Sequence, residues 1–269
     1  GGIGVTHVFC RELRANLKGL LLWLAALTAF AAIGFFEYGG IAAADEGINA
    51  LFDLMPRMVR VMFGMGALPI HTPEGYYVCM FFFLCLMTFT HASLLGATLL
   101  SKEERDKTAE FLFVRPLSRA RVVKGKMLAG AVNVLFMALT AWAVTLWVFL
   151  PQTGGRTLAA GIHLSMLGML ACQLVFFSVG MLGAAALRTH QQATLFSAGF
   201  VVATYLISVL LEMAGTLDFL NFLSPFRYFH AVGVLERGLS LPYLLWSAVL
   251  IAAAATLSVR RFSARDLRN

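Results

Sequence analysis

Six stretches of this chain run long and almost without charge, at about residues 17–36, 76–100, 127–150, 161–187, 193–211 and 241–259. An α-helix needs roughly 20 mostly apolar residues to cross the hydrocarbon of a bilayer. None of the six shows the polar and apolar alternation of a barrel strand. In lipid every backbone N–H and C=O must be satisfied internally, so these stretches read as helices. The fold class is therefore all-α: a polytopic membrane protein with six transmembrane helices and both termini on one side. Composition supports the class, because 59% of the residues are hydrophobic and only 13% are charged. So few polar side chains cannot cover a soluble core, which excludes a soluble enzyme. The first stretch is expected to be a retained span and not a cleavable signal peptide, since it is too long, lacks a small-residue cleavage pattern and is followed by five more.

The charge that does exist is unevenly placed. Of 21 basic residues, 16 fall on the side of the termini, including Arg11, Arg14, Lys102, Arg121, Lys126 and Arg260. The opposite side holds Arg57, Arg60, Arg156, Arg227 and Arg237. The positive-inside rule makes the first group cytoplasmic. The net charge of +7 is then a matter of topology and anionic-lipid contact. No nucleic-acid motif is present and no nucleic-acid partner is expected.

Motifs for chemistry are missing from the sequence. Cys10, Cys79, Cys85 and Cys172 include no C-x-x-C, and three of them lie inside spans, which points to packing. There is no H-E-x-x-H and no Cys and His spacing suited to zinc, so no catalytic, cofactor-binding or metal residues are assigned. A membrane-embedded enzyme would need a nucleophile with a base, or paired acids, within the spans. His91 is the ionisable side chain nearest mid-depth, and no carboxylate is in reach by sequence.

Polar residues within or at the ends of the spans mark where a substrate path could run: Thr88, His91, Asn133, Gln173 and Glu212. Thr88, His91 and Thr98 share a stripe of the second span. His91 is either a pathway residue or a histidine bonded to a neighbouring helix, and Asn133 and Gln173 lean toward interhelical bonding. Gly161, Ser165, Gly168 and Cys172 form a small-residue stripe suited to close helix packing.

The connecting segments carry further signals. In residues 1–16, Val5, Val8, Phe9 and Leu13 share one helical face and predict a basic amphipathic helix lying in the inner interface before the first span; a frayed tail is the alternative. Over 47–63, Ile48, Leu51, Phe52, Met55, Val59 and Met62 recur at helical spacing, which predicts an outer amphipathic helix kinked or divided at Pro56. In the loop 101–121, Ser101 with Glu104 has the capping-box spacing, so a short helix is expected from Lys102 to Val114, ended by Pro116. Ser118 is positioned to cap the next helix. The apolar Phe111, Leu112 and Phe113 either dock a partner protein or fold back on the membrane. Near the last span, Ser224 and Pro225 open a half-buried helix that closes at Arg237 and Gly238, with Arg227 and His230 facing substrate or headgroups, or serving an aromatic anchor.

Glu103-Glu104, Thr108-x-Glu110-x-Leu112 and Pro116-Leu117-Ser118-Arg119 resemble the cytoplasmic loop of type-2 ABC transporter permeases, the membrane subunits of bacterial ATP-driven exporters. Met55-Pro56 through Thr72-Pro73-Glu74-Gly75-Tyr76 is similar to the beta-exotoxin-type export permease subgroup. Many relatives carry Gly where Lys107 stands, though a continuous capped helix does not require it. The resemblance extends over 1–269 as one permease domain. It implies a bacterial inner-membrane subunit, paired with a second copy of itself as a homodimer or with a similar permease, clasped by separate ABC ATPase subunits that bind the ATP and Mg. The coupling surface would be Glu103, Glu104, Thr108, Glu110, Phe111, Leu112, Arg115, Pro116 and Arg119. The sequence itself lacks a G-x-x-x-x-G-K-[ST] phosphate loop, so this chain is not expected to bind ATP or act as an enzyme. A non-transporting immunity or sensor protein on the same scaffold is the competing expectation, with an embedded enzyme behind it.

Overall fold

The structure is a computed structural model that describes residues 3–105, 119–152 and 156–264. Among the described residues there is no strand. The helices are α1 (Ile3–Ala43), α2 (Asp45–Asp53), α3 (Arg57–Met62), α4 (Pro73–Arg105) and α5 (Arg119–Phe149). They continue with α6 (Arg156–Ala186), α7 (His190–Ala214), α8 (Pro225–Tyr228), α9 (Ala231–Arg237) and α10 (Leu241–Ala264). Six are long and apolar enough to cross a membrane: Thr6–Ala43, Pro73–Ser101, Ala120–Phe149, Leu158–Ala186, His190–Ala214 and Leu241–Ala264. The expected spans sit inside these helices, apart from a residue or so at the ends of the third and fourth.

Contacts between helix ends show an up-and-down arrangement. Ser101 bonds His190, and Lys126 reaches both Leu99 and Glu12, which gathers one end of α1, α4, α5 and α7 into what we term the terminal face. At the other, distal face Tyr76 donates to the Gly34 carbonyl at 2.9 Å, Tyr205 to that of Met62 at 2.7 Å, and Trp246 to Tyr228 Oη at 3.0 Å. At the centre α4 lies against α6, the most extensive helix contact among the described residues. Two glycines allow it: a Cβ on Gly96 would collide with the Phe177 carbonyl, and one on Gly180 with that of Ser93. The two backbones therefore touch, as small residues permit in membrane helices. Around this pair α5 packs on α6 and α4, α1 on α5, α10 on α6, and α7 on α4.

The helix ends follow from local chemistry. Thr72 precedes Pro73 and its Oγ1 accepts from Gly75 N–H at 3.1 Å, an N-cap followed by proline at the first helical position. Thr189 caps α7 through Gln192 N–H, and Gly215 ends that helix at φ 63°.

Three local expectations are corrected. No boundary separates an interfacial helix from the first span, because Ile3–Ala43 is one unbroken helix. The apolar residues of its first turns continue directly into the membrane segment. Ser101 does not cap a new helix: α4 runs on to Arg105, and the Ser101 hydroxyl donates to the Ala97 carbonyl at 2.6 Å, one turn back. Ser224 does stand before Pro225, but its hydroxyl donates to the Thr204 carbonyl and caps nothing, and the expected half-buried helix is two short ones, α8 and α9. The outer amphipathic helix is divided at Pro56, as its position within the pattern requires, into α2 and α3.

Candidate functional site

The expected coupling surface falls largely outside the described residues. Thr108, Glu110, Phe111, Leu112, Arg115 and Pro116 lie outside them, as does Ser118. Glu103 and Glu104 belong to the last turn of α4, and Arg119 opens α5. The structure does show what stands at the base of that loop. Glu12 of α1 is fully buried, and its Oε1 accepts from Arg11 at 2.9 Å and lies 3.8 Å from Lys126 Nζ. Lys126, also buried, donates to the Leu99 carbonyl near the end of α4. A buried ammonium held by a carboxylate and a carbonyl ties α1, α4 and α5 at the two roots of the loop. On α4 the Ser101 hydroxyl shares a 2.7 Å hydrogen bond with His190 Nδ1, which adds α7.

Four of the five candidate path residues lie in the central helices, and all four are buried. Thr88 donates to the Leu84 carbonyl at 2.7 Å and Asn133 to that of Ala129 at 2.8 Å, each one turn back in its own helix. His91 packs against the edge of Trp23, with ring centroids 5.5 Å apart, and its Nδ1 has no hydrogen-bond partner. Both polar atoms of the Gln173 amide are likewise unpartnered. Among the described residues no hydrogen bond joins these four to one another. The Gly161, Ser165, Gly168 and Cys172 stripe serves packing: a Cβ on Gly161 would collide with Leu235, one on Gly168 would press on Phe229, and Cys172 Sγ contacts the Pro225 carbonyl at 3.3 Å. That stripe seats α8 and α9 against α6.

Glu212, the fifth, opens onto a different feature. A cavity of about 270 Å³ lies at the distal face between α3, α4, α7 and the α8–α9 segment. Its polar lining includes Arg57, Arg60, Glu212, Arg227 and His230 together with Tyr205 and Ser208, and its apolar lining includes Phe81, Phe82, Cys85 and Phe226. Glu212 is ion-paired with Arg227, whose Nε also donates to Asn221 Oδ1 at 3.2 Å. Arg60 is ion-paired with Asp53. Arg57 donates to the Glu212 backbone carbonyl at 3.4 Å, and among the described residues no carboxylate lies within ion-pair distance of it. His230 lines the cavity at its rim and is exposed to water. Burial and then the nearby Arg227 guanidinium hold it below the usual histidine range, at about 4. Solvent on the open side tempers that shift, and the neutral ring is the form favoured at neutral pH.

The turn after α3 makes this wall. Gly64 has φ 66°, and a Cβ there would sit 2.8 Å from Phe82 Cβ, so only glycine lets the chain lie flat on α4. Met65 N–H then bonds the Arg60 carbonyl at 2.8 Å, turning the basic face of α3 over the cavity.

The sequence points to Glu212, Arg227 and His230 one by one, but not to the arginines of α3 as their neighbours, and in it Lys126 is no more than a topological charge. A signal for the terminal cluster did exist. Glu12 follows Val8 by one helical turn, so a carboxylate sits on the apolar face of α1.

Compared with known proteins, residues 12–267 match the family model described as ABC-2 family transporter protein. No curated protein matches the chain.

Proposed function

Because the chain belongs to the ABC-2 family of transporter proteins, a family of multi-pass transport subunits that work with an ABC ATPase, we propose that it is the permease of a bacterial exporter. In this reading it moves its substrate outward across the inner membrane on ATP hydrolysed by a separate subunit. Both termini and the terminal face are cytoplasmic, and a second permease copy completes the pathway. The likeness of residues 55–76 to beta-exotoxin-type permeases is the finer form of the same proposal.

One observation carries the reading: the family match runs through all six membrane helices of a chain that has no phosphate-binding loop of its own. The base of the loop 106–118 supports the mechanism. Its two ends leave α4 and α5, which the Lys126 contacts join to each other and to α1. A push on the loop is thereby delivered to three spans at once. ATPase closure would move the loop residues from Glu103 to Arg119, and the central helices carrying Thr88, His91, Asn133 and Gln173 would respond. Unpartnered polar atoms on His91 and Gln173 are the groups best placed to gain partners in another state.

The test is a paired substitution in the loop. Glu104→Ala with Phe111→Ala is expected to leave membrane insertion intact and to abolish co-purification of the ATPase together with substrate-stimulated hydrolysis. Full coupling in the double variant would overturn the assignment.

A further inference from the structure

We propose that the distal cavity is a binding site for the phosphodiester headgroup of an anionic phospholipid in the facing leaflet. Charge is the first argument. Three arginines line the cavity, and among the described residues two carboxylates pair with them, Glu212 and Asp53, leaving one cation in excess at Arg57. A phosphodiester carries one negative charge and offers the oxygens that a guanidinium binds in its forked geometry.

Depth is the second argument, and it is independent of charge. On α2, the segment that follows and the first turn of α3, Leu51, Leu54, Met55 and Met58 are 65%, 81%, 40% and 54% exposed. An amphipathic segment of that kind lies in the interface with its apolar side among the upper acyl groups. It joins α3 directly, so Arg57 and Arg60 stand at headgroup level. Shape is the third argument. At about 270 Å³ the cavity is at the small end of ligand pockets, enough for a phosphate and a short polar group but not for an acyl chain. Phe81, Phe82 and Phe226 supply an apolar floor on which the glycerol end can rest.

The proposal needs the chain to sit in a bilayer but not to couple to an ATPase, so it and the exporter reading fail separately. The purified full chain in an uncharged detergent is titrated by calorimetry with dihexanoyl phosphatidylglycerol, dihexanoyl phosphatidylcholine and inorganic phosphate. Phosphatidylglycerol is expected to bind most tightly, and Arg57→Gln to weaken it by about tenfold. Arg260→Gln, exposed on the opposite face, is expected to change nothing. Glu212→Gln removes a negative charge from the lining and is expected to tighten binding, a direction that general damage would not produce. Equal affinity for phosphatidylcholine, or no loss in Arg57→Gln, would overturn the site. Inorganic phosphate binding as tightly as phosphatidylglycerol would overturn the lipid as its occupant and point to a soluble anion.

Discussion

The central and peripheral helices of this bundle are equally apolar but are stabilised differently. In α4 and α6 67% of the spanning window is buried within the chain, and in α5 50%. In α1, α7 and α10 the shares are 17%, 28% and 17%, at similar hydropathy. Apolar length takes a helix into the bilayer; it does not say whether protein or lipid will cover it. The glycines at the closest backbone approaches are in the central group, although Gly34 of α1 also packs, against Tyr76 Oη. Gly96, Gly130 and Gly180 lie where the central helices approach each other, whereas Gly19, Gly39 and Gly199 on α1 and α7 face open space.

The strongest way to break this comparison is to separate the central pair. Gly180→Val must push α6 off the Ser93 carbonyl. Its cost should exceed the roughly 1–3 kcal/mol of ordinary overpacking, because backbone and not a movable side chain is struck. Loss of monodisperse protein on size exclusion is the expected result, and wild-type recovery would refute the packing argument.

Next in size is the buried pair that joins a peripheral helix to the centre. Glu12→Gln removes the carboxylate 3.8 Å from the buried Lys126 ammonium and should cost about 3 kcal/mol in detergent-denaturation titrations. Adding Lys126→Met should recover much of that loss. Strict additivity of the two changes would show that the pair is not a unit.

A smaller effect is expected at the distal rim, where His230 titrates. Its folded value lies below the ordinary 6.5, so in the range just under 6.5 the unfolded chain binds more protons. Its contribution is complete above pH 6.5 and is lost progressively as the pH falls below that value. His230→Gln should flatten the stability profile in that window alone. An unchanged slope would mean that the ring is not held neutral.

The smallest effect belongs to the outer surface of α7. Leu206 and Leu210 are 47% and 65% exposed, so Leu206→Ala and Leu210→Ala should shift the stability of the single chain by no more than about 0.5 kcal/mol. A larger loss would show that another protein surface covers them.

The spans were legible because lipid imposes its demand locally, on about 20 consecutive residues. Their ends were partly legible: Thr72-Pro73 marks the start of α4 in plain chemistry, while Ser101 misleads. The spacing of Ser101 and Glu104 does not reveal whether the preceding residues are already helical, and a serine inside a helix bonds back to residue i−4. The continuity of α1 was invisible for a related reason, since nothing near residue 16 either breaks a helix or forbids a turn. The distal cavity needed the fold itself. Arg57 and Glu212 meet from positions 155 residues apart, and no periodicity reaches that far. Glu12 could have been suspected from its place on an apolar face, but its partner on α5 could not.

The unbroken α1 has a mechanical consequence. Its 41 residues make a rod of about 60 Å at the α-helical rise, twice the hydrocarbon thickness. Near one end it is held through Glu12, and toward the other through the Gly34 carbonyl and Tyr38. A rod without a hinge cannot absorb a displacement partway along, so a tilt of about 5° about one end carries the other end about 5 Å. The two faces of the protein are thereby geared together by a single stiff lever, and a proline placed midway along it should uncouple them while leaving both anchor points in place.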